Sequence, residues 1–411
     1  MKRLTVVLLM LAFIPIIAQS TNLSLEEAVN LAKANNTNIK QAEMELKAAK
    51  AGFWKEISLP KPNLTASYEF IPKGKGINNY EERSFEISQE FEFPTNYYFK
   101  GKIANLQIDA AQTNLQNEIA KVILDVKNAY YDLLCVKEHL SISLENLNTL
   151  KDFSEKSLIK YSSGETSKIE YLTANMQYNE ALNDYENCKK ELISSKLILT
   201  RIMYGNEGSN NIELNLLDTL TYSKIDLLLE ELIKSAKLNN INLVEKNIQS
   251  KIASTNKTLA YSSFLPELSL GYSKQAMSGN DNFYGVSFGV SVPIWFMFEQ
   301  RGNIQESNAS LDIAEIDLKS TEQELVNELI LEHENLSSLQ NQIENYRSII
   351  LPNTNEILQT ALESYEAGET SYMEFILTIQ TTLKAKQTYI ELLCNYNKSI
   401  AKLNYLTGID F

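Results

Sequence analysis

One offset, 204 residues, recurs through the 411-residue chain and limits what it can fold into more than any other feature. Ala32, Lys33, Asn35, Asn36 and Asn38 return as Ala236, Lys237, Asn239, Asn240 and Asn242. Pro62, Leu64 and Tyr68 return as Pro266, Leu268 and Tyr272. Tyr161, Gly164, Glu165, Thr166, Ser167 and Glu170 return as Tyr365, Gly368, Glu369, Thr370, Ser371 and Glu374. Chance identity does not hold one spacing over separate clusters, so the chain is two copies of a unit of about two hundred residues. The expected repeats are 22–205 and 224–408, with a linker at 206–223.

Each copy reads helix, strand, strand, very long helix, turn, long helix. Only 14 Gly and 8 Pro are present, too few turn residues for a chain of short strands. Ser24 and Glu27 form a capping box that opens a helix to about Ile57, stopped by Pro60 and Pro62. From Asn63 to Phe70, Leu64, Ala66, Tyr68 and Phe70 alternate with polar residues, and Phe85, Ile87, Phe91 and Phe93 then oppose Glu86, Ser88, Glu90 and Glu92. The second copy repeats the pattern with Leu268, Leu270 and Tyr272, then Tyr284, Val286, Phe288, Val290 and Val292. The spacing predicts four amphipathic strands of about ten residues.

Between Lys102 and Lys160 there is no Pro or Gly, so a continuous helix there would reach roughly 85 to 90 Å. Ile119, Val122, Val126, Ala129, Leu133, Val136 and Leu140 keep alternating spacings of three and four, a heptad seam. Tyr171, Ala174, Tyr178, Ala181, Tyr185, Cys188, Leu192, Ser195, Leu199 and Ile202 form the partner seam, copied from Phe375 to Leu406. Flanking apolar residues such as Ile123, Tyr130 and Leu134 add a second stripe, as a helix with neighbours on both sides requires.

The N-terminus sets the compartment. Lys2 and Arg3 precede an apolar run from Leu4 to Ala18, followed by Gln19, Ser20 and Thr21, which is the pattern of a secretory signal peptide at 1–18. The run is shorter than the ~20 residues of a spanning helix, and no Cys follows it to carry a lipid. The net charge is −14, and losing Lys2 and Arg3 leaves −16. That acidity, with no basic run, excludes nucleic acid as a partner. Three Cys without CxxC spacing and two isolated His, His139 and His333, supply no structural metal site. Cys188 reads as a seam residue, and Cys135 and Cys394 as free thiols. No Ser/His/Asp grouping or phosphate loop is present, so the chain reads as neither an enzyme nor a cofactor protein.

Strands of 9 to 11 tilted residues match a bilayer crossing, with apolar side chains toward lipid and polar ones toward a lumen. Four strands cannot close a barrel alone, whereas three copies would supply twelve. The competing readings are a soluble sandwich edge and a cell-surface coiled-coil protein.

The export signal, the duplicated hairpin and coiled-coil pair, and the twin sequences Tyr161-Ser-Ser-Gly-Glu-Thr-Ser and Tyr365-Glu-Ala-Gly-Glu-Thr-Ser together resemble the TolC family of outer-membrane efflux channels over residues 22–408. The resemblance implies an α+β fold: long antiparallel coiled-coil helices forming a periplasmic α-barrel, plus four strands per chain of a shared 12-stranded trimeric β-barrel. It implies a homotrimer in outer-membrane lipid, met at its lower end by a periplasmic membrane-fusion adaptor and an inner-membrane pump of the resistance-nodulation-division type. Leu351-Pro352 and Ser371-Tyr-Met-Glu-Phe look more like the cobalt, zinc and cadmium branch than the multidrug branch, with a multidrug or type I secretion channel as the alternative.

The resemblance also assigns sites. Gly164, Glu165, Thr166, Ser167, Gly368, Glu369, Thr370 and Ser371 become the tips on which the adaptor docks, and at Gly164 and Gly368 the reversal itself needs a residue tolerant of positive φ. Glu374, and secondarily Glu170, become the carboxylates of a periplasmic aperture, which threefold symmetry would gather into a cation-attracting ring. Leu377 stands where some relatives carry a second acid.

Overall fold

A computed structural model describes residues 21–205, 214–277, 280–294 and 297–410. The expected signal peptide, 1–18, and the first part of the expected linker lie outside the described residues. The element order is β1 (Thr21–Leu23), α1 (Leu25–Asn35), α2 (Thr37–Glu56), β2 (Asn63–Glu69), β3 (Glu82–Phe91), α3 (Pro94–Ser163) and α4 (Lys168–Tyr204). It continues β4 (Leu214–Leu216), α5 (Leu229–Asn239), α6 (Ile241–Ser262), β5 (Glu267–Met277), β6 (Asn280–Ser291) and α7 (Glu299–Asn345). A π-helical turn (Tyr346–Ile350), α8 (Leu351–Glu366) and α9 (Tyr372–Thr407) complete it.

Two compact units share these elements, each drawing on both repeats. One takes in the chain up to Thr37, Val122–Ile225 and Asn335–Ala401; the other takes in Asn38–Lys121, Asp226–Glu334 and Lys402–Phe411. The first buries Val126, Tyr130, Leu133 and Leu134 of α3, Ala174, Ala181 and Leu199 of α4, and Phe375, Ile379, Leu392 and Tyr396 of α9. These are the expected seams, and Ile376 and Leu393 add the second stripe on α9. The second unit holds the four-stranded antiparallel sheet, in the order β2-β3-β5-β6.

Three differences from the expected elements have physical causes. The helix expected from Ser24 to Ile57 is two, because Asn36 turns extended (φ −60°, ψ 133°) and its side-chain amide donates to the Ile202 carbonyl at 3.0 Å. Its repeat-equivalent does the same in the other unit: Asn240 breaks α5 from α6 and donates to Leu406 O at 3.0 Å. The amide competes with the backbone for partners, which is why Asn ends helices.

The second long helix is interrupted where the first runs unbroken for 70 residues. Pro352 has no N–H to give and its ring presses on the carbonyl four residues back, so the helix widens just before it. There the Leu351 N–H reaches back five residues to Tyr346 O.

The strands are also shorter than expected at one edge. Phe70 sits at φ 55° outside β2, and Glu92 and Phe93 lie beyond β3. The stretch read as a linker also holds β4, which pairs in parallel with β1 through Thr21↔Leu214 and Leu23↔Leu216.

Candidate functional site

The sheet presents two chemically distinct faces. Backbone pairing places Leu64, Ile87, Tyr272 and Val286 in one row across all four strands. Each of the four is exposed, as are Phe85, Leu270, Tyr284, Phe288 and Val290 on the same face. The opposite face carries the row Thr65, Glu86, Ser273 and Gly285 and the row Asn63, Ser88, Gly271 and Ser287. Glycine gives the neighbouring hydroxyls room there: a Cβ on Gly271 would meet the Ser287 hydroxyl, and one on Gly289 that of Ser269, so either serine would have to turn away. A water-exposed apolar face of this size marks a surface that something covers. Both edge strands, β2 and β6, have a single neighbour among the described residues.

The two tips, both in the other unit, share one backbone design. Gly164 and Gly368 are left-handed (φ 79° and 75°), and each closes its helix with a six-residue loop of Schellman type. Glu165 N–H donates to Lys160 O at 2.8 Å and Gly164 N–H to Tyr161 O at 3.1 Å; Glu369 N–H donates to Ser364 O at 2.8 Å and Gly368 N–H to Tyr365 O at 3.1 Å. Ser167 and Ser371 then cap the next helix, accepting from the N–H of Glu170 at 3.2 Å and of Glu374 at 3.3 Å.

The two carboxylates diverge. Glu374 folds back on its own cap, accepting from Ser371 N–H at 3.0 Å and Ser371 Oγ at 2.9 Å. Those two bonds hold its carboxyl below the ordinary range, the backbone one most strongly. Glu170 instead accepts from Thr166 Oγ1 and, at 2.6 Å, from the hydroxyl of Tyr365 in the second repeat. Tyr365 lies on an aromatic cluster with Phe153 and Phe375, and Lys160 sits 4.7 Å above its ring. Burial, then the Glu170 carboxylate, pushes the Tyr365 hydroxyl well above its usual range. Lys156 adds an ion pair to Glu366 at 2.9 Å. The structure thus joins Glu170, rather than Glu374, to the other repeat.

Residues 232–409 match the family model described as Outer membrane efflux protein. The cobalt-zinc-cadmium resistance protein CzcC of Cupriavidus metallidurans is 19% identical over 389 residues, spanning 94% of this chain and 90% of that protein. The outer membrane protein TolC of Vibrio cholerae is 22% identical over 409 residues, spanning 94% of this chain and 89% of that one.

The second half of the chain matches the outer membrane efflux protein family, and nearly the whole chain is similar to TolC-like proteins. Its fold is that of the Campylobacter jejuni CmeC outer membrane channel, with a TM-score of 0.81, 17% identity and coverage of 93% of this chain and 85% of that one.

Several residues have partners that their sequence reading did not show. Tyr130 is wholly buried, and its hydroxyl donates to Leu23 O at 2.9 Å and Asp218 Oδ2 at 2.7 Å. The same Asp218 oxygen accepts the Leu25 N–H at 2.9 Å, tying the N-terminal strand to the segment between repeats. No sequence signal marked Asp218, because its partners lie 88 and 193 residues away. His333 Nε2 lies 3.0 Å from the Leu227 carbonyl, a structural contact. Cys135 and Cys394 are free thiols, as read, and Cys394 Sγ donates to the Tyr131 carbonyl of α3 at 3.4 Å. Among the described residues, no three His, Cys, Asp or Glu side chains gather as metal ligands. No described helix is long and apolar enough to cross a membrane.

Proposed function

We propose that this efflux protein is the passive outer-membrane duct of a three-component export assembly, working as a homotrimer with a periplasmic adaptor and an inner-membrane pump. The four-stranded sheet carries the reading. It has an exposed apolar face, a polar face of Glu, Ser, Thr and Gly, and two unpaired edges among the described residues, which three copies would close into twelve strands. The repeats 22–205 and 224–408 would then supply alternating segments of the wall, and 1–18 would be removed on export.

Heavy-metal cations are the proposed cargo, supported by the likeness to a cobalt-zinc-cadmium resistance protein along nearly the whole chain. The tips, Gly164–Ser167 and Gly368–Ser371, would receive the adaptor. Glu374, whose carboxylate makes no bond beyond its own cap, would line the aperture, and the Tyr365–Glu170 bond would fasten the second tip to the first.

Three measurements test this. Trimer mass in detergent and lipid contact of spin labels at Ile87 and Leu270, with water contact at Glu86 and Ser88, are the expected results; the reverse labelling pattern would sink the barrel register. Loss of the gene should sensitise cells to cobalt, zinc or cadmium, whereas sensitivity to drugs alone would point to the multidrug alternative. Glu374→Gln should lower cation selectivity in planar bilayers more than Glu170→Gln, and unchanged selectivity would leave Glu374 as a helix cap only.

A further inference from the structure

We propose that Cys135 on α3 and Cys394 on α9 form a disulfide in the exported protein, stapling the last helix of the second repeat to the long helix of the first. The sulfur of Cys394 donates to the Tyr131 carbonyl at 3.4 Å. In continuous α3 that carbonyl is also the acceptor of the Cys135 N–H, so Cys394 Sγ lies within about 6.4 Å of the Cys135 nitrogen. Each thiol shifts the protonation of the other, and Lys398 and Asp132 pair one turn further along the same two helices. This contact is not inherited from the duplication: the repeat-equivalents of Cys135 and Cys394 are Leu339 and Lys190.

The chemistry needs an oxidant, for which a protein disulfide donor of the exported compartment suffices. Cys394 attacks one donor sulfur as a thiolate and expels the other, giving a mixed disulfide. Cys135 then loses its proton and displaces the donor sulfur from Cys394. Two electrons and two protons end on the donor as a dithiol, and one S–S bond remains in the chain. Cys394 suits the first step, since the neighbouring Cys135 thiol and the Lys398 ammonium hold its thiol below the ordinary range, whereas Cys394 and burial push that of Cys135 up. The staple fixes α9 at the end away from the tip that carries Glu374.

The proposal rests on the export reading, and its test separates the two. The protein is taken from the outer-membrane fraction without reductant, denatured and alkylated. Of three cysteines, only Cys188 should react, rising to three after reduction, with the unreduced chain two mass units lighter by intact mass. Three reactive thiols in outer-membrane material would overturn the staple alone; a chain recovered with the cytosol would overturn the placement and the staple with it. Reductant should lower the unfolding temperature of the natural chain to that of Cys394→Ser and leave the variant unmoved. Equal shifts in both, or a disulfide that links two chains, would also overturn it.

Discussion

The two tips read almost identically in sequence, yet the protomer treats them differently. Tyr365 is 8% exposed and its repeat-equivalent Tyr161 is 37% exposed; Ile376 is 6% exposed and its equivalent Leu172 is 51% exposed. The second tip is packed against the first, with Leu147, Leu150 and Phe153 of α3 and Ala174 of α4 supplying the cover. The first tip has nothing equivalent on its far side: Tyr161 stacks on Tyr171 at 5.8 Å, while Ile159 and Ile169 stand exposed. A duplicated unit therefore specifies its own turns and caps but not its neighbours. One copy inside a chain can cover only one side of the other, and the uncovered side is what an assembly of copies would bury.

The largest effect expected from this contrast is in the aromatic cluster. Phe375→Ala should cost about 3–5 kcal/mol in denaturant unfolding of the dissociated protomer, and the equivalent Tyr171→Ala about 1 kcal/mol. Equal losses would show the first tip to be as fully packed as the second. Next is the bond between repeats. Tyr365→Phe should cost about 1.5 kcal/mol, because it strips a hydroxyl from a charged acceptor, and Tyr161→Phe should change nothing measurable. A double-mutant cycle of Tyr365→Phe with Glu170→Ala should show coupling, while Tyr161→Phe with Glu374→Ala should show none within a single protomer.

The caps come third. Ser371→Ala removes two hydrogen bonds of the Ser371 hydroxyl, one accepted from the Glu374 N–H and one donated to its carboxylate, and Ser167→Ala only the one accepted from the Glu170 N–H, so losses of about 1 and about 0.5 kcal/mol are expected from thermal unfolding. The smallest effect is that of pH. Because the Glu374 carboxyl is held below its usual value of 4.5, the cap it supports is fully present above that pH and is lost as pH falls through the lowered folded value. The protection of the Tyr372 to Phe375 amides, exchange measured against the intrinsic rate at each pH, should fall on acidification below pH 4.5 and stay constant above it. Protection that instead falls as pH rises above 6 would reverse the sign and refute the cap.

Much of the fold was legible because it is local. The heptad seams, the alternating strands, the capping box at Ser24 and the Gly reversals depend on residues a few positions apart, and periodicity reports such relations directly. The break at Asn36 was missed because the amide's partner, Ile202, is 166 residues away. The π-turn before Pro352 was signalled by the proline itself, although its repeat-equivalent, Asn148, gave no cause to expect the two long helices to differ.

What the sequence alone determined is the duplicated plan: which residues turn, which cap, and which face of each helix and strand is apolar. Only the tertiary structure decided which of two identical carboxylates ties the repeats together, which aromatic pair is buried, and that Cys394 reaches the turn of α3 between Tyr131 and Cys135. The physical reason is one of range. Backbone propensity and capping act within a turn or two of chain, so two equal sequences give equal local structure. A hydrogen bond between Tyr365 and Glu170, or between Cys394 and the Tyr131 carbonyl, depends on which segments are brought side by side, and the duplicated pattern is the same on both sides of that choice.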